Sequence, residues 1–222
     1  MKVKEQKQEL GNVQSSLNYF LKFNLPKEVK ILDVGCNYGS LIYNLHKLGY
    51  KNVQGIDVNK KTINEGKKEY SGISKSINYY EGKTIPFEDK SFDVVVMFDV
   101  IEHIPNVENF LKNEVYRVLK KGGVFIFQTP NKIINIPWEI LNQKSFTKWK
   151  NYHCSLQTKN KLKDKLNLAR FKEIIIEKYN ILTEHNKNKV RKKLPFLGII
   201  LLYILASLPL NLNPNFWGSC KK

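Results

Sequence analysis

Three groups of residues in this chain have the types and spacing that chemistry needs. The first is Asp33 with the turn Gly35-Cys36-Asn37-Tyr38-Gly39, which follows the short apolar run Ile31, Leu32, Val34. A strand that ends in a carboxylate and enters a glycine-bearing turn brings bare backbone and a helix N-terminus against a ligand, as nucleotide-type cofactors require. The second is Asp57, the end of Val53-Gln-Gly-Ile-Asp57 and 18 positions past Gly39. An acidic group at about that distance meets ribose hydroxyls in nucleotide-binding βαβ units. The third is a choice of bases. Of the four histidines, His46 and His185 fall on faces predicted to be solvated. His103 follows a strong strand and His153 lies in a later loop, where either could take a proton near neutral pH. Together they indicate an adenosine-containing cofactor beside an acid–base group.

The elements that must position these residues are legible from periodicity. Val13, Leu17, Phe20 or Leu21, and Leu25 recur at helical spacing before Pro26. The helix after the glycine turn carries Leu41, Ile42, Leu45 and Leu48 on one face and stops at Gly49. A polar helix over 60–69 leads to a third strand at Ile77–Tyr80. The fourth, Phe92–Phe98, is a nearly continuous apolar run suited to burial on both faces. Asn106 can cap a helix with the stripe Phe110, Leu111, Val115, Val118 and Leu119. Lys120-Lys121-Gly122-Gly123 would end that helix with cations at its negative pole. Strand five follows at Val124–Phe127, a helix capped by Thr158 carries Leu162, Leu166 and Ala169, strand six is Phe171–Ile176, and Phe216–Ser219 can close the sheet as a seventh. Strands alternating with helices predict an α/β chain with a doubly wound, seven-stranded, mostly parallel sheet and helices on both faces. The reading is one domain over 1–222, with a core over 10–180 and a basic, then apolar, helical segment over 187–210 between the last two strands.

The turn discriminates among cofactors. A dinucleotide fingerprint would place a third glycine at position 40, which is Ser, and no Gly-Lys-Ser/Thr ending marks a phosphate-cradling loop. From here the chain resembles the class I S-adenosylmethionine-dependent methyltransferases, whose first motif is an acidic residue followed by G-x-G-x-G. Further matches come in the family's order: Asp57, then Ile85-Pro-Phe-Glu-Asp-Lys-Ser-Phe-Asp93, Phe98-Asp-Val-Ile-Glu-His-Ile104, Arg117-Val-Leu-Lys-Lys-Gly-Gly123 and Thr129-Pro-Asn131. The resemblance covers roughly 10–180. It implies S-adenosylmethionine as cofactor, held by Asp33, Gly35, Asn37, Gly39, Asp57, Val58, Phe98 and Asp99, with His103 and His153 as candidate catalytic bases. Asn37 stands where the family has its middle glycine, and Asn is the non-glycine residue that best tolerates a left-handed backbone. Glu81-Gly82-Lys83-Thr84 is shorter than the family's stretch there, which leaves the adenine-side acid unassigned.

Composition narrows the acceptor. The formal charge is +17, but nearly all of it is Lys, with Arg only at 117, 170 and 191, spread among Asn and Ile. Phosphate-reading surfaces favour Arg, so nucleic acid is an unlikely partner, whereas an anionic membrane or acidic substrate needs only charge. No Asn/Asp-Pro-Pro-Tyr/Phe motif follows strand four, which argues against base amino groups as acceptors. Cys36, Cys154 and Cys220 form no CxxC, so no metal site or disulfide framework is expected and a reducing cytoplasm fits. The N-terminus reads as no signal peptide. Trp138, Phe146, Trp149 and Tyr152 interleave with Lys144, Lys148 and Lys150, which suits a lid over an apolar acceptor or an ordinary packed insertion. Seven residues with five cations (187–193) precede an uncharged helix of about 20 Å, short of the ~30 Å hydrocarbon core. That segment reads as an interfacial anchor on the inner membrane face, a channel for a lipid-like acceptor, or a buried helix. The functional expectation is methyl transfer to oxygen of a small or lipid-linked acceptor. A catalytically silent binding module and an RNA methyltransferase are the alternatives.

Overall fold

The computed structural model describes residues 13–179, 182, 184–192, 194 and 197–222. The sequence before 13, parts of the 187–210 segment and the side chain of His185 lie outside that description.

Strand β4 (Phe92–Phe98) organises the centre. Its register pairs it in parallel with β1 (Ile31–Val34) on one side and β5 (Leu119–Pro130) on the other. Its side chains alternate between two apolar layers: Val94 and Val96 join one, Val95 and Met97 the other. Burying each such side chain contributes roughly 1.5–3 kcal/mol, which is why the run is apolar on both faces. Outward from β1 lie β2 (Val53–Asp57) and β3 (Ile77–Tyr79); outward from β5 lie β7 (Asn215–Lys221) and then β6 (Lys172–Glu177). The order is β3-β2-β1-β4-β5-β7-β6, with β7 antiparallel to both neighbours. Helices α1 (Val13–Leu21), α2 (Ser40–Lys47) and α3 (Lys60–Glu69) cover one face. The other is covered by α4 (Val107–Phe110), which continues through a π-helical stretch (Leu111–Val115) into α5 (Tyr116–Val118), and by α7 (Lys159–Leu168). This is the seven-stranded, doubly wound sheet that the sequence predicts.

Two local differences have physical causes. The helix of the Phe110 stripe ends at Val118 and not at the Lys-Lys-Gly-Gly run. Leu119 is already extended, fully buried and paired with Phe92. The cation that satisfies the helix end is instead the distant Lys222, whose Nζ donates to the carbonyls of Tyr116 and Leu119. Lys120 turns to Asp93, at 2.7 Å. His46, expected on a solvated face, is half-buried. Its imidazole pKa is lowered by burial and then by Lys51.

Besides the Lys120–Asp93 pair, the motif segments 85–93 and 117–123 are tied by Arg117. The guanidinium of Arg117 donates to the carbonyls of Ile85 (2.8 Å) and Phe87 (2.7 Å) and pairs with Asp89 and Glu114 at 3.0 Å each. The planar fork of Arg suits such a four-way tie, and Lys could not replace it. The tie holds the approach to β4 against the helix behind it. Insertions carry α6 (Lys132–Gln143) after β5, and α8 (Glu184–Arg191) and α9 (Leu197–Ser207) between β6 and β7.

Candidate functional site

The C-terminal ends of β1, β2 and β4 face one crevice, the position where open α/β sheets present ligands. At β1, Gly35 and Gly39 have φ of +82° and +86°, a left-handed backbone that costs other residues strain. Asn37 takes the same region at +50°, so the non-glycine residue in the turn adopts the conformation expected of it. A Cβ on Gly35 would lie 2.3 Å from Cγ2 of Val100, because the turn packs directly on the segment after β4. From the other side α3 closes in: a Cβ on Gly66 would stand 2.2 Å from the carbonyl oxygen of Tyr38. Asp33 is buried at the end of β1, and Gly39 is the N-cap of α2 with no side chain capping that helix. The first turn of that helix carries the positive end of its dipole.

Asp57 closes the turn from β2. Its Oδ2 accepts the Asn37 N–H at 2.8 Å and its Oδ1 accepts that of Asn59 at 2.8 Å. Asn59, not Asp57, caps α3, accepting from the Lys61 and Thr62 N–H groups. Each carboxylate oxygen has a second lone pair, so two hydroxyl donors can still be accepted. Beside it Val58 is 57% exposed, an apolar surface in contact range of Gly82, while burial, helped by the Asp57 charge, pushes the Tyr80 phenol up to about 12. The residue set thus fits an adenosine: a carboxylate for a vicinal diol, an exposed apolar side chain next to it, and a left-handed glycine turn that the same carboxylate closes.

The end of β4 supplies the acid–base groups. Phe98 packs its ring 5.8 Å from Trp217. Asp99 is exposed and left-handed (φ +55°), a strained backbone for a non-glycine residue and a hallmark of functional positions. Glu102, quoted in the motif but given no role there, is almost completely buried and takes a hydrogen bond from the Thr129 hydroxyl at 3.0 Å. Burial, and then the charge of Asp99, raises its carboxyl well above the ordinary range. Its backbone carbonyl accepts the N–H of Ser155 at 2.9 Å, which draws the 150s loop against the site. That tie brings His153 to His103, with ring centroids 5.2 Å apart, and no sequence signal foretold the meeting.

Nδ1 of His103 is hydrogen-bonded to the Tyr152 carbonyl. A carbonyl only accepts, so Nδ1 carries a proton, and in the neutral ring Nε2 is the nitrogen with the lone pair; it lies 3.9 Å from Glu102 Oε1. The ring is half-exposed, as a base for an incoming acceptor must be. Ligand atoms of Glu102, His103 and His153 lie within 4.8 Å of one another, close enough to share a cation. The interleaved aromatics lie on α6 and the stretch after it. Trp138 joins the small cluster of Val190 and Leu202, Trp149 donates to the Phe146 carbonyl at 2.9 Å, and Phe146 and Tyr152 are strongly exposed.

This fold and crevice define a nucleotide-cofactor α/β domain. Residues 32–127 match the model of the methyltransferase domain family. The ubiquinone biosynthesis O-methyltransferase of Pelagibacter ubique is 32% identical over 125 residues, 55% of this chain and 51% of that protein. A sterol 24-C-methyltransferase of Aspergillus fumigatus is 33% identical over 108 residues, 47% of this chain and 28% of that protein. The chain therefore spans about half or less of the curated relatives it matches. A solved S-adenosylmethionine-dependent methyltransferase of Thermotoga maritima superposes with a TM-score of 0.66 at 19% identity, over 95% of this chain and 89% of that one, a likeness of fold. The matched stretch, residues 32–127, is thus similar to a methyltransferase domain and holds the β1 turn, Asp57 and the end of β4 described above.

The raised Glu102 carboxyl has a consequence for stability. Its folded pKa lies above the ordinary 4.5, so the native state holds a proton that the unfolded chain releases as pH climbs past that value. Stability should accordingly fall as pH rises above about 4.5 and level off beyond the folded pKa. Glu102→Gln should flatten this fall in urea midpoints measured from pH 5 to 8. An unchanged slope in the variant would show that Glu102 is ionised in the native state.

Proposed function

We propose that the domain transfers a methyl group to an oxygen of a small, apolar or lipid-linked acceptor. The observation that supports this is the placement, at the C-terminal ends of adjacent parallel strands, of a turn closed by Asp57 and of a half-exposed His103 whose Nδ1 is held by the Tyr152 carbonyl, which leaves Nε2 as the ring's basic nitrogen. Bound S-adenosylmethionine supplies an activated methyl group on a sulfonium sulfur. Gly35, Asn37 and Gly39 let the backbone approach it, and Asp33 faces its cationic amino end or orients the turn. Asp57 takes the ribose hydroxyls and its charge excludes a phosphate there, Val58 lies against the adenine, and Phe98 and Asp99 line the side nearest the acceptor.

The chain's remaining task is alignment and proton removal. Holding the acceptor oxygen in line, with water excluded, can account for about 7–11 kcal/mol of barrier reduction. His103 Nε2 then receives the proton that the acceptor hydroxyl gives up as its oxygen gains the methyl group, and the Tyr152 carbonyl stabilises the resulting imidazolium through Nδ1–H. His153 either passes that proton outward or orients the hydroxyl. The apolar rim of Trp138 and Phe146 supports a greasy acceptor, as do the quinone and sterol named in the two relatives.

The test is transfer of labelled methyl from S-adenosylmethionine to a catechol bearing a short prenyl chain, with RNA as the rival acceptor. Asp57→Ala should weaken cofactor binding by about 1.5–3 kcal/mol, the scale of hydrogen bonds to a charged group. Unchanged affinity by calorimetry in a folded variant would remove Asp57 from the ribose site. His103→Ala or His153→Ala should lower turnover by roughly 10²–10⁴ and leave cofactor affinity intact. Near-normal turnover in both would mean that the acceptor needs no base. Cofactor binding with no transfer to any acceptor in a metabolite extract would favour a silent binding module.

A further inference from the structure

Helix α9, Leu197-Gly-Ile-Ile-Leu-Leu-Tyr-Ile-Leu-Ala-Ser207, carries no charge, yet most of its described side chains face outward. Leu197 is 66% exposed, Tyr203 55%, Ile204 50% and Ile200 47%, whereas Leu202 is buried against Val190 of α8. An uncharged helix that is apolar on every side belongs in an apolar medium, and this one has that medium on one side only. The pair is closely built: a Cβ on Gly198 would lie 2.5 Å from Val190 Cγ1, and the N–H of Gly198 donates to the carbonyl of Leu194 at 2.9 Å. Lys178 caps the far end through the carbonyls of Ala206 and Leu208. Where α8 ends, Arg191 and Lys192 are exposed, within a stretch whose sequence holds five cations in seven residues.

We propose that α9 docks on an anionic lipid surface, its apolar side at the headgroup–acyl boundary and the cations of the α8 end on the phosphates. Charge decides the occupant. A second copy would bring the same cations face to face in a chain that already carries +17, whereas an anionic surface complements them. Length decides the mode. Eleven residues make a helix of about 16 Å against a ~30 Å hydrocarbon core, and among the described residues no helix is long and apolar enough to cross a membrane. The same apolar cluster includes Trp138 of α6, which starts directly after β5, so docking sets the acceptor side of the crevice close to the lipid. The proposal does not depend on methyl transfer, because binding is read without cofactor or acceptor.

The experiment sediments the full chain with vesicles of equal phosphatidylglycerol and phosphatidylcholine, and with phosphatidylcholine alone, at about 0.05 and 0.5 M salt. Binding to the anionic vesicles at low salt, lost at high salt and weak on neutral vesicles, is expected. Arg191→Glu with Lys192→Glu should reduce it about tenfold or more, at ~1 kcal/mol per cation. Ile200→Gln with Ile204→Gln should do likewise while leaving the circular dichroism spectrum unchanged, since both side chains are exposed. Full chain left in the supernatant, or binding indifferent to both pairs, overturns the proposal. A dimer in light scattering that the Ile200/Ile204 variant abolishes assigns the face to a second copy and also overturns it. Resistance to salt and alkaline extraction overturns the interfacial placement.

Discussion

The carboxylate of Asp57 holds the functional end of the sheet together. One oxygen fixes Asn37 in the β1–α2 turn and the other fixes Asn59 at the head of α3, each at 2.8 Å. With those two N–H groups engaged, the turn is pinned in the left-handed conformation that Gly35, Asn37 and Gly39 share, and its backbone is drawn onto β2. The N–H groups of Gly35 and Cys36 both reach the Ile56 carbonyl, at 2.8 and 3.1 Å. Val100 then packs on Gly35, so the position of the segment that bears Asp99, Glu102 and His103 depends on the same turn. A ligand group on the remaining lone pairs of Asp57 would bind a scaffold that is already formed, which is where binding free energy is conserved.

Much of this architecture is legible in the sequence because the relevant signals are local. The apolar run of β4, the stripe on α2 and the caps Asn59, Asn106 and Thr158 each follow from side-chain chemistry within a few residues. Asn37 is the clearest case: its tolerance of positive φ is a property of the residue itself, and the backbone uses it. What stays hidden is set by partners distant in the chain. Leu119 left its helical stripe because Phe92, across the sheet, offers a ladder position. Lys222, not Lys120 or Lys121, closes the helix end, and no pattern links residues a hundred positions apart. Glu102 reads as one more motif carboxylate; only its burial, beside Thr129 and Ser155, raises its pKa. The encounter of His103 with His153 has the same origin, since loop residues meet through a backbone bond from Ser155 to Glu102.

Charge and apolarity are distributed for different purposes. Most of the positive charge lies on solvated faces and does nothing specific; even Lys22 is engaged locally, with Glu177 and the Tyr19 ring. The cofactor crevice instead relies on carboxylates at graded depths. Asp57 is half-buried and bonded by backbone, Asp99 is exposed, and Glu102 is buried with its carboxyl pKa raised by that burial. Burial thus separates the behaviour of like groups at the ends of these strands. Exposed apolar side chains also gather on α9, where Leu197, Ile200, Leu201, Tyr203 and Ile204 face outward.

The central claim is that S-adenosylmethionine occupies the crevice formed by the ends of β1, β2 and β4. Ultraviolet cross-linking with methyl-labelled S-adenosylmethionine, followed by peptide mapping, tests it most directly. Label should appear in peptides that contain residues 33–39, 57–58 or 98–103 and should be competed by unlabelled cofactor. Saturable label confined to other peptides, or none that competes, would contradict the account.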